Sequence, residues 1–326
     1  MHLSKSRMKG VTAVSAKTQN VVTTQPAIRG ELWAAGAALG FTLSNMFDKL
    51  GLAQGNPYVG LIAKDMPLWI IAIVTCLSQG LFRQQLSADS PEYVGKQGWL
   101  PFVWSGPIMD AFGTVMFYVA MSLGGVVIAV PVVQSQVLWA AIIAHFMLGE
   151  QFDKRTAIGS LVFVAGLVLL SLGQMQGAPV SSQWAMAIPL ALIAGLGWSL
   201  GTVLWRKGLV NGTNKWVGMS IHYPMAWLAV IVYLMITGQM SAFNMPMKSA
   251  AAFAGSGVFS GVIAVTMFMN ALNVIPVAKA NIIKSSYPVL AAIFAWILFK
   301  EYLNVVMIVG IIITIVGLGI ITRKSE

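Results

Sequence analysis

The chain has 326 residues, of which 57% are hydrophobic and only 9% charged, with a formal net charge of +10. Soluble domains carry roughly 25% charged residues, and stretches 156–182, 184–205 and 216–247 here carry none, which excludes an ordinary soluble enzyme. The basic balance would point to nucleic acid in a soluble protein. Here the basic residues fall in short loops and tails, so the cytosolic bias of membrane proteins explains them without a nucleic-acid partner.

Residues 1–30 contain Lys5, Arg7, Lys9, Lys17 and Arg29 and no apolar run. They read as a disordered cytosolic tail and not as a cleavable signal peptide. Ten apolar segments follow, at roughly 31–50, 57–81, 101–122, 125–148, 155–173, 184–204, 216–237, 250–271, 276–298 and 303–321. Each approaches the length of about 20 residues that crosses a bilayer, and each is expected to be helical, because an isolated strand leaves its backbone unpaired in lipid. Breakers separate several of them, among them Gly55-Asn56-Pro57, Asp89-Ser90-Pro91 and Asn211-Gly212-Thr213. Only Leu123-Gly124 lies between the third and fourth segments. The expected fold class is therefore an all-α polytopic membrane protein with ten transmembrane helices.

The sequence repeats itself. Residues 126–170 align without gaps on 277–321 at a constant offset of 151, so Glu150 meets Glu301, Gly159 meets Gly310 and Gly166 meets Gly317. At an offset of 157, Gly40-Phe41-Thr42-Leu43 meets Gly197-Trp198-Ser199-Leu200, with Asn45 on Thr202 and Lys49 on Arg206. Five helices per half is an odd number, so the second half enters the membrane from the opposite side, giving two inverted five-helix repeats of the kind that build transporters. The halves are expected at 31–173 and 184–322, joined by a linker at 174–183 and followed by a short tail at 323–326. With the N-terminus inside, Arg83, Lys96, Lys154, Arg155, Arg206, Lys207, Lys215, Arg323 and Lys324 also fall inside, against Lys248 and Lys300 outside. Both termini are thus expected in the cytosol, and the protein in the cytoplasmic membrane.

This architecture resembles the drug/metabolite transporter superfamily, and within it the EamA-type transporters. The resemblance spans residues 31–322 and is best matched from Ala140 to Glu150 with Gly159 and Gly166, and from Tyr287-Pro288 to Glu301 with Gly310 and Gly317. The family pattern has a proline thirteen residues before the acid; Pro288 meets it, while Val137 stands there in the first copy. The resemblance implies a secondary transporter that exports amino acids, related metabolites or amphipathic compounds against a proton flux. A metabolite uptake permease and a non-transporting scaffold or lipid-handling subunit are the alternatives. Its partners would be a small-molecule substrate, protons, membrane lipids and a second copy of the chain as a homodimer.

Ionisable groups inside a bilayer cost several kcal/mol and mark candidate sites. Asp110 and Lys284 are the clearest; their counterparts in the other half are Gly261 and Val133. Either they pair across the centre as a structural lock, or Asp110 carries a proton or binds a cationic group while Lys284 tunes it or binds an anionic one. Gln134 on the fourth segment, Tyr287 beside Asn281 and Lys284 on the ninth, and His222 in Ile221-His222-Tyr223-Pro224 are further candidates for the same wall. Trp198 is a candidate stacking surface. Asn45 and Thr202 lie in repeated polar stripes (Thr42, Asn45, Lys49 and Ser199, Thr202, Arg206) that face either protein or a wet cavity. Lys64 is expected to snorkel outward. Gly197-Trp198-Ser199-Leu200-Gly201 matches the G-x-S-x-G nucleophile pattern, but that chemistry needs a strand-turn-helix. Within an apolar helix the glycines read as a packing face. The sequence contains no phosphate-binding loop, zinc spacing or haem motif, so neither cofactor nor metal is expected, and Cys76 stands alone.

Overall fold

A computed structural model of the chain describes residues 27–52, 54–174, 184–299 and 303–322. Most of the expected N-terminal tail, residues 175–183 of the linker, Glu301 and the last four residues lie outside the described residues. All regular structure among the described residues is helical. In chain order these are α1 (Ala27–Leu52), α2 (Pro57–Ser78), the short α3 (Leu81–Leu86), α4 (Gly95–Ser105), a π-helical segment (Gly106–Thr114), α5 (Val115–Val133), α6 (Gln136–Leu148), α7 (Lys154–Gln174), α8 (Trp184–Val210) and α9 (Lys215–Ile236). After a single 3₁₀ turn come α10 (Met247–Gly257), a second π-helical segment (Val258–Val265), α11 (Thr266–Val274), α12 (Val277–Lys284), α13 (Tyr287–Phe299) and α14 (Val305–Thr322). Seven helices among the described residues are long and apolar enough to cross a membrane. Large apolar side chains such as Leu77, Leu161, Ile236 and Ile312 point outward. A surface of that kind suits lipid and not water, and the chain is a multi-pass membrane protein.

Local chemistry sets many of the ends. Asn56 caps α2, its side chain accepting from the backbone N–H of Tyr58 (2.9 Å) and Val59 (3.4 Å), and Pro57 occupies the first helical position. Asn214 caps α9 in the same way. Gly149 has φ 69°, the left-handed conformation that ends α6 and turns the chain back toward Glu150. The first helix starts at Ala27, inside the expected tail, because Gly30 packs directly on Ile275 and Glu31 pairs with Lys279 at 2.5 Å. The eighth helix runs to Val210, past the expected end at 204. Its Arg206 is held by Glu150 at 3.5 Å and by the Leu272 carbonyl.

The two halves interlock. Gly113 lies against Gly197 on α8, while Val133 and Ser135 lie against Gly195, two residues away on the same helix. A straight helix from 113 to 133 would separate those ends by about 30 Å. The chain therefore doubles back within Val115–Val133, and Ala120 and Ala129 from its two arms meet Ala187 and Ala191 of α8 in one cluster. This is the region of the expected Leu123-Gly124 turn. The second half builds the same hairpin around α1. Gly40 meets Ala264 and Gly30 meets Ile275; the chain turns at Ile275-Pro276, and Phe41 then meets Tyr287. Each half thus lends its first helix to the hairpin of the other.

Equivalent helices run antiparallel where they touch. Along α7 and α14, Gly159 faces Gly317 and Gly166 faces Gly310, each within about van der Waals reach of the other's carbonyl. Along α2 and α9, Tyr58 meets Tyr233 and Trp69 meets Trp227, with ring centroids 5.3 and 5.2 Å apart.

Candidate functional site

The π-helical segments occupy matching places in the two halves, and π turns inside α-helices concentrate at functional sites. A glycine pressed against a proline-containing helix marks the start of each: Gly106, the first residue of the first segment, against His222 and Ala226 of α9, near Pro224, and Gly257, the residue before the second, against Lys64 and Pro67 of α2. A side chain at either position would collide with backbone. The wider π turn rotates the residues beyond it relative to an α-helical course, and in the first half it brings Asp110 onto α9.

Asp110 and His222 form a close pair, with Nε2 of the imidazole 2.7 Å from Oδ2 of the carboxylate. On the other side of the ring, Nδ1 lies 2.7 Å from Ser105 Oγ, and Trp205 Nε1–H reaches both Ser105 Oγ (3.1 Å) and Nδ1 (3.2 Å). Ser105 and His222 are fully buried, while the Asp110 side chain keeps 15% of its exposure. The serine hydroxyl also lies 3.1 Å from the Phe102 carbonyl. It can therefore serve either charge state of the ring. When His222 is neutral, the hydroxyl donates to Nδ1. When His222 is protonated, the hydroxyl turns to the Phe102 carbonyl and its oxygen accepts from Nδ1–H. Nδ1 thus keeps a hydrogen-bond partner in either charge state of the ring. The Ser-His-Asp order matches a hydrolase triad, but Ser105 is fully buried, with its oxygen against the Phe102 carbonyl and Trp205 Nε1.

The equivalent place in the other half holds a different cluster. Ser256, the counterpart of Ser105, donates to Asp48 at 2.6 Å and lies 2.7 Å from Ser44. Lys64 turns inward to Asp48 at 2.5 Å, and does not extend toward the lipid surface as a snorkelling side chain would. Asp48 pairs with it because α1 and α2 meet here with both side chains only about one-fifth exposed. Asp65, next in the chain, accepts from Trp227 Nε1–H at 3.2 Å.

A third polar group sits where both hairpins break. Gln134-Ser135 separates α5 from α6, and Ser285-Ser286, its counterpart, separates α12 from α13. Across these breaks Lys284 Nζ reaches Gln136 Oε1 at 3.4 Å. The Gln136 amide donates to Gln134 Oε1 at 3.0 Å, and the Gln134 amide donates to the Tyr287 hydroxyl at 3.1 Å. The lysine ammonium also stands over the rings of Phe268 (5.0 Å) and Phe41 (6.0 Å).

Of the sequence candidates, Asp110 meets His222, and Lys284 meets Gln134 and Tyr287 through Gln136. Asp110 and Lys284 have different partners and are not an ion pair. Trp198 donates from Nε1 to Thr114 at 3.2 Å and packs on Phe117. Thr202 is fully buried and donates to the Trp198 carbonyl, an ordinary bond within the helix. Asn45 is exposed. Other members of the polar stripes join helices: Thr42 reaches the Tyr287 carbonyl at 3.2 Å, and Ser199, its counterpart, reaches the Gln136 carbonyl at 2.7 Å. Gly197 and Gly201 pack on Ile108 and Met109, so the G-x-S-x-G pentapeptide is a helix-packing face. Sequence reasoning passed over Ser105, Trp205 and Gln136. Ser105 aligns with Ser256 at the same offset of 151 as the repeat, and that alignment would have singled it out.

The sequence pattern of the EamA-like transporter family matches residues 28–172 and again 185–323. A protein of Clostridium kluyveri described as an uncharacterized transporter is 23% identical over 184 residues; the match covers 56% of this chain and 58% of that protein, a little over half its length. A protein of known crystal structure superposes with a TM-score of 0.68 at 14% identity, over 90% of this chain and 96% of that one. At that identity the likeness is one of fold. Two matches to one pattern, one per half, agree with the antiparallel pairing of α7 with α14 and of α2 with α9, and the chain belongs to the EamA-like transporter family.

Proposed function

We propose that the protein is a proton-coupled secondary transporter that exports a small metabolite, an amino acid or a relative of one, across the cytoplasmic membrane. In this reading ten spans form two inverted five-helix halves, with both termini in the cytosol and access alternating between the two sides. The observation that carries the coupling is the Asp110–His222–Ser105 array. It is an acid–imidazole pair at a π-helical turn, its imidazole fully buried and its Nδ1 supplied with a partner whether or not that nitrogen carries a proton. Binding or losing that proton changes the charge of a buried group, and a change of that kind biases two packings of the surrounding helices.

The test begins with metabolite profiles of deletion and overexpression strains, which supply a substrate. The protein is then reconstituted in liposomes and substrate movement is followed under an imposed pH gradient. Asp110→Asn is expected to abolish gradient-driven accumulation while keeping substrate exchange at equal pH. A variant that accumulates substrate in response to the gradient as the unmodified protein does would remove Asp110 from the coupling.

A further inference from the structure

Lys284 is the least accounted-for charge in the described part of the protein. Its residue retains 8% of its exposure, inside a helix bundle that crosses a membrane. Among the described residues no carboxylate pairs with it; Asp110 pairs with His222, Asp48 with Lys64, Glu150 with Arg206 and Glu31 with Lys279. Its polar contact is one amide oxygen, Gln136 Oε1, at the long distance of 3.4 Å. An ammonium offers three donors, and an uncompensated one in low dielectric is costly. The same break in the helices holds further unspent polar capacity. Ser285 Oγ, Ser135 Oγ and Asn281 Oδ1 are buried and without hydrogen-bond partners. Tyr287 accepts from Gln134, which leaves its own hydroxyl proton free for another acceptor.

We propose that the helix break at Lys284 is an anion seat that takes the carboxylate of an apolar monocarboxylate, and that the transported compound is one. Lys284, the hydroxyls of Ser285 and Tyr287, and the Gln136 amide are the groups that would meet the carboxylate. Phe41 and Phe268, already against the ammonium, would border the apolar body. Every free group at the break except Asn281 Oδ1 has a proton to give, so the seat suits an acceptor-only ligand. A cationic compound brings a second positive charge to Lys284 and is excluded. Asp110–His222 is then left to the proton, and the two halves of the transport reaction use different residues.

This inference rests on the transport reading, but its test reads binding alone, so a failure of proton coupling and a failure of anion recognition give different results. Full-length protein in lipid nanodiscs is titrated with 3-phenylpropanoate and with N-acetylleucine, each beside its neutral primary amide, and occupancy is read from thermal stabilisation and tryptophan fluorescence. A charge-assisted contact predicts that at least one acid binds about ten- to a hundred-fold more tightly than its amide. Lys284→Gln is expected to erase that preference and Lys284→Arg to keep most of it. Gln136→Leu, which removes the oxygen that steers the ammonium, is expected to reduce it several-fold, and it provides the reading if Lys284→Gln does not fold. Equal binding of acid and amide in both pairs to the unmodified protein overturns the proposal. So does a preference that survives Lys284→Gln, or one that is unchanged in Gln136→Leu.

Discussion

At the scale of single residues, the polar groups divide by what their protons can do. Thr42, Ser199 and Thr202 give theirs to carbonyls of their own or a neighbouring helix and act as fasteners. Ser105 is different, because its hydroxyl has two acceptors to choose between, Phe102 O and His222 Nδ1. Ser105→Ala removes the one oxygen among the described residues that can accept from Nδ1–H, while the neutral ring keeps Trp205 as a donor. Gradient-driven transport in Ser105→Ala liposomes is therefore expected to fall about ten-fold relative to exchange at equal pH, in line with one buried hydrogen bond to a charged group. An unchanged ratio would make the serine a bystander. Asp110, His222, Lys284 and Gln134 were legible in the sequence because each is polar in an apolar helix. Which of them would meet was not. Face assignments assume 3.6 residues per turn, and the π segment at Gly106–Thr114 breaks that period just where Asp110 lies. Ser105 and Trp205 carry residue types common in membrane helices, so only their place in the repeat could have marked them.

At the scale of helices, the repeated glycines explain themselves as a contact. Gly310 on α14 has the backbone of Leu170 and the Gly166 carbonyl where a Cβ would go, while Gly319, on the same helix, has open space. Gly310→Ala is expected to push α7 and α14 apart and cost about 1–3 kcal/mol as overpacking, seen as a lower melting temperature in detergent; Gly319→Ala should melt as the unmodified protein does. Equal melting of the two variants would mean that the helices separate without cost. The sequence showed that these glycines recur but not that they touch. The same holds for α1 and α8: both were visible as apolar spans, and nothing in their composition said that each lies in the other half's hairpin. That placement depends on contacts distant in the chain: more than 200 residues for Ser44 with Ser256 and Thr42 with Tyr287, and 63 for Ser199 with Gln136.

At the scale of the whole molecule, orientation is the expectation still open to a direct measurement. Cys76 is buried and is the single cysteine of the chain, so Cys76→Ser gives a clean background. In it, Asp89→Cys is expected to react with a membrane-impermeant maleimide only after cells are opened, and Asn244→Cys to react in intact cells. Both positions are exposed. The reverse pattern would invert the protein in the membrane. The Gly159–Gly317 and Gly166–Gly310 contacts have a further meaning at this scale. The two contacts are each other's repeat equivalents: 159 corresponds to 310, and 317 to 166. A surface that recognises its own equivalent running the other way is the signature of an isologous interface between identical subunits. The single chain carries, in covalent form, the contact by which two copies of a half-length ancestor, inserted in opposite directions, would have found each other.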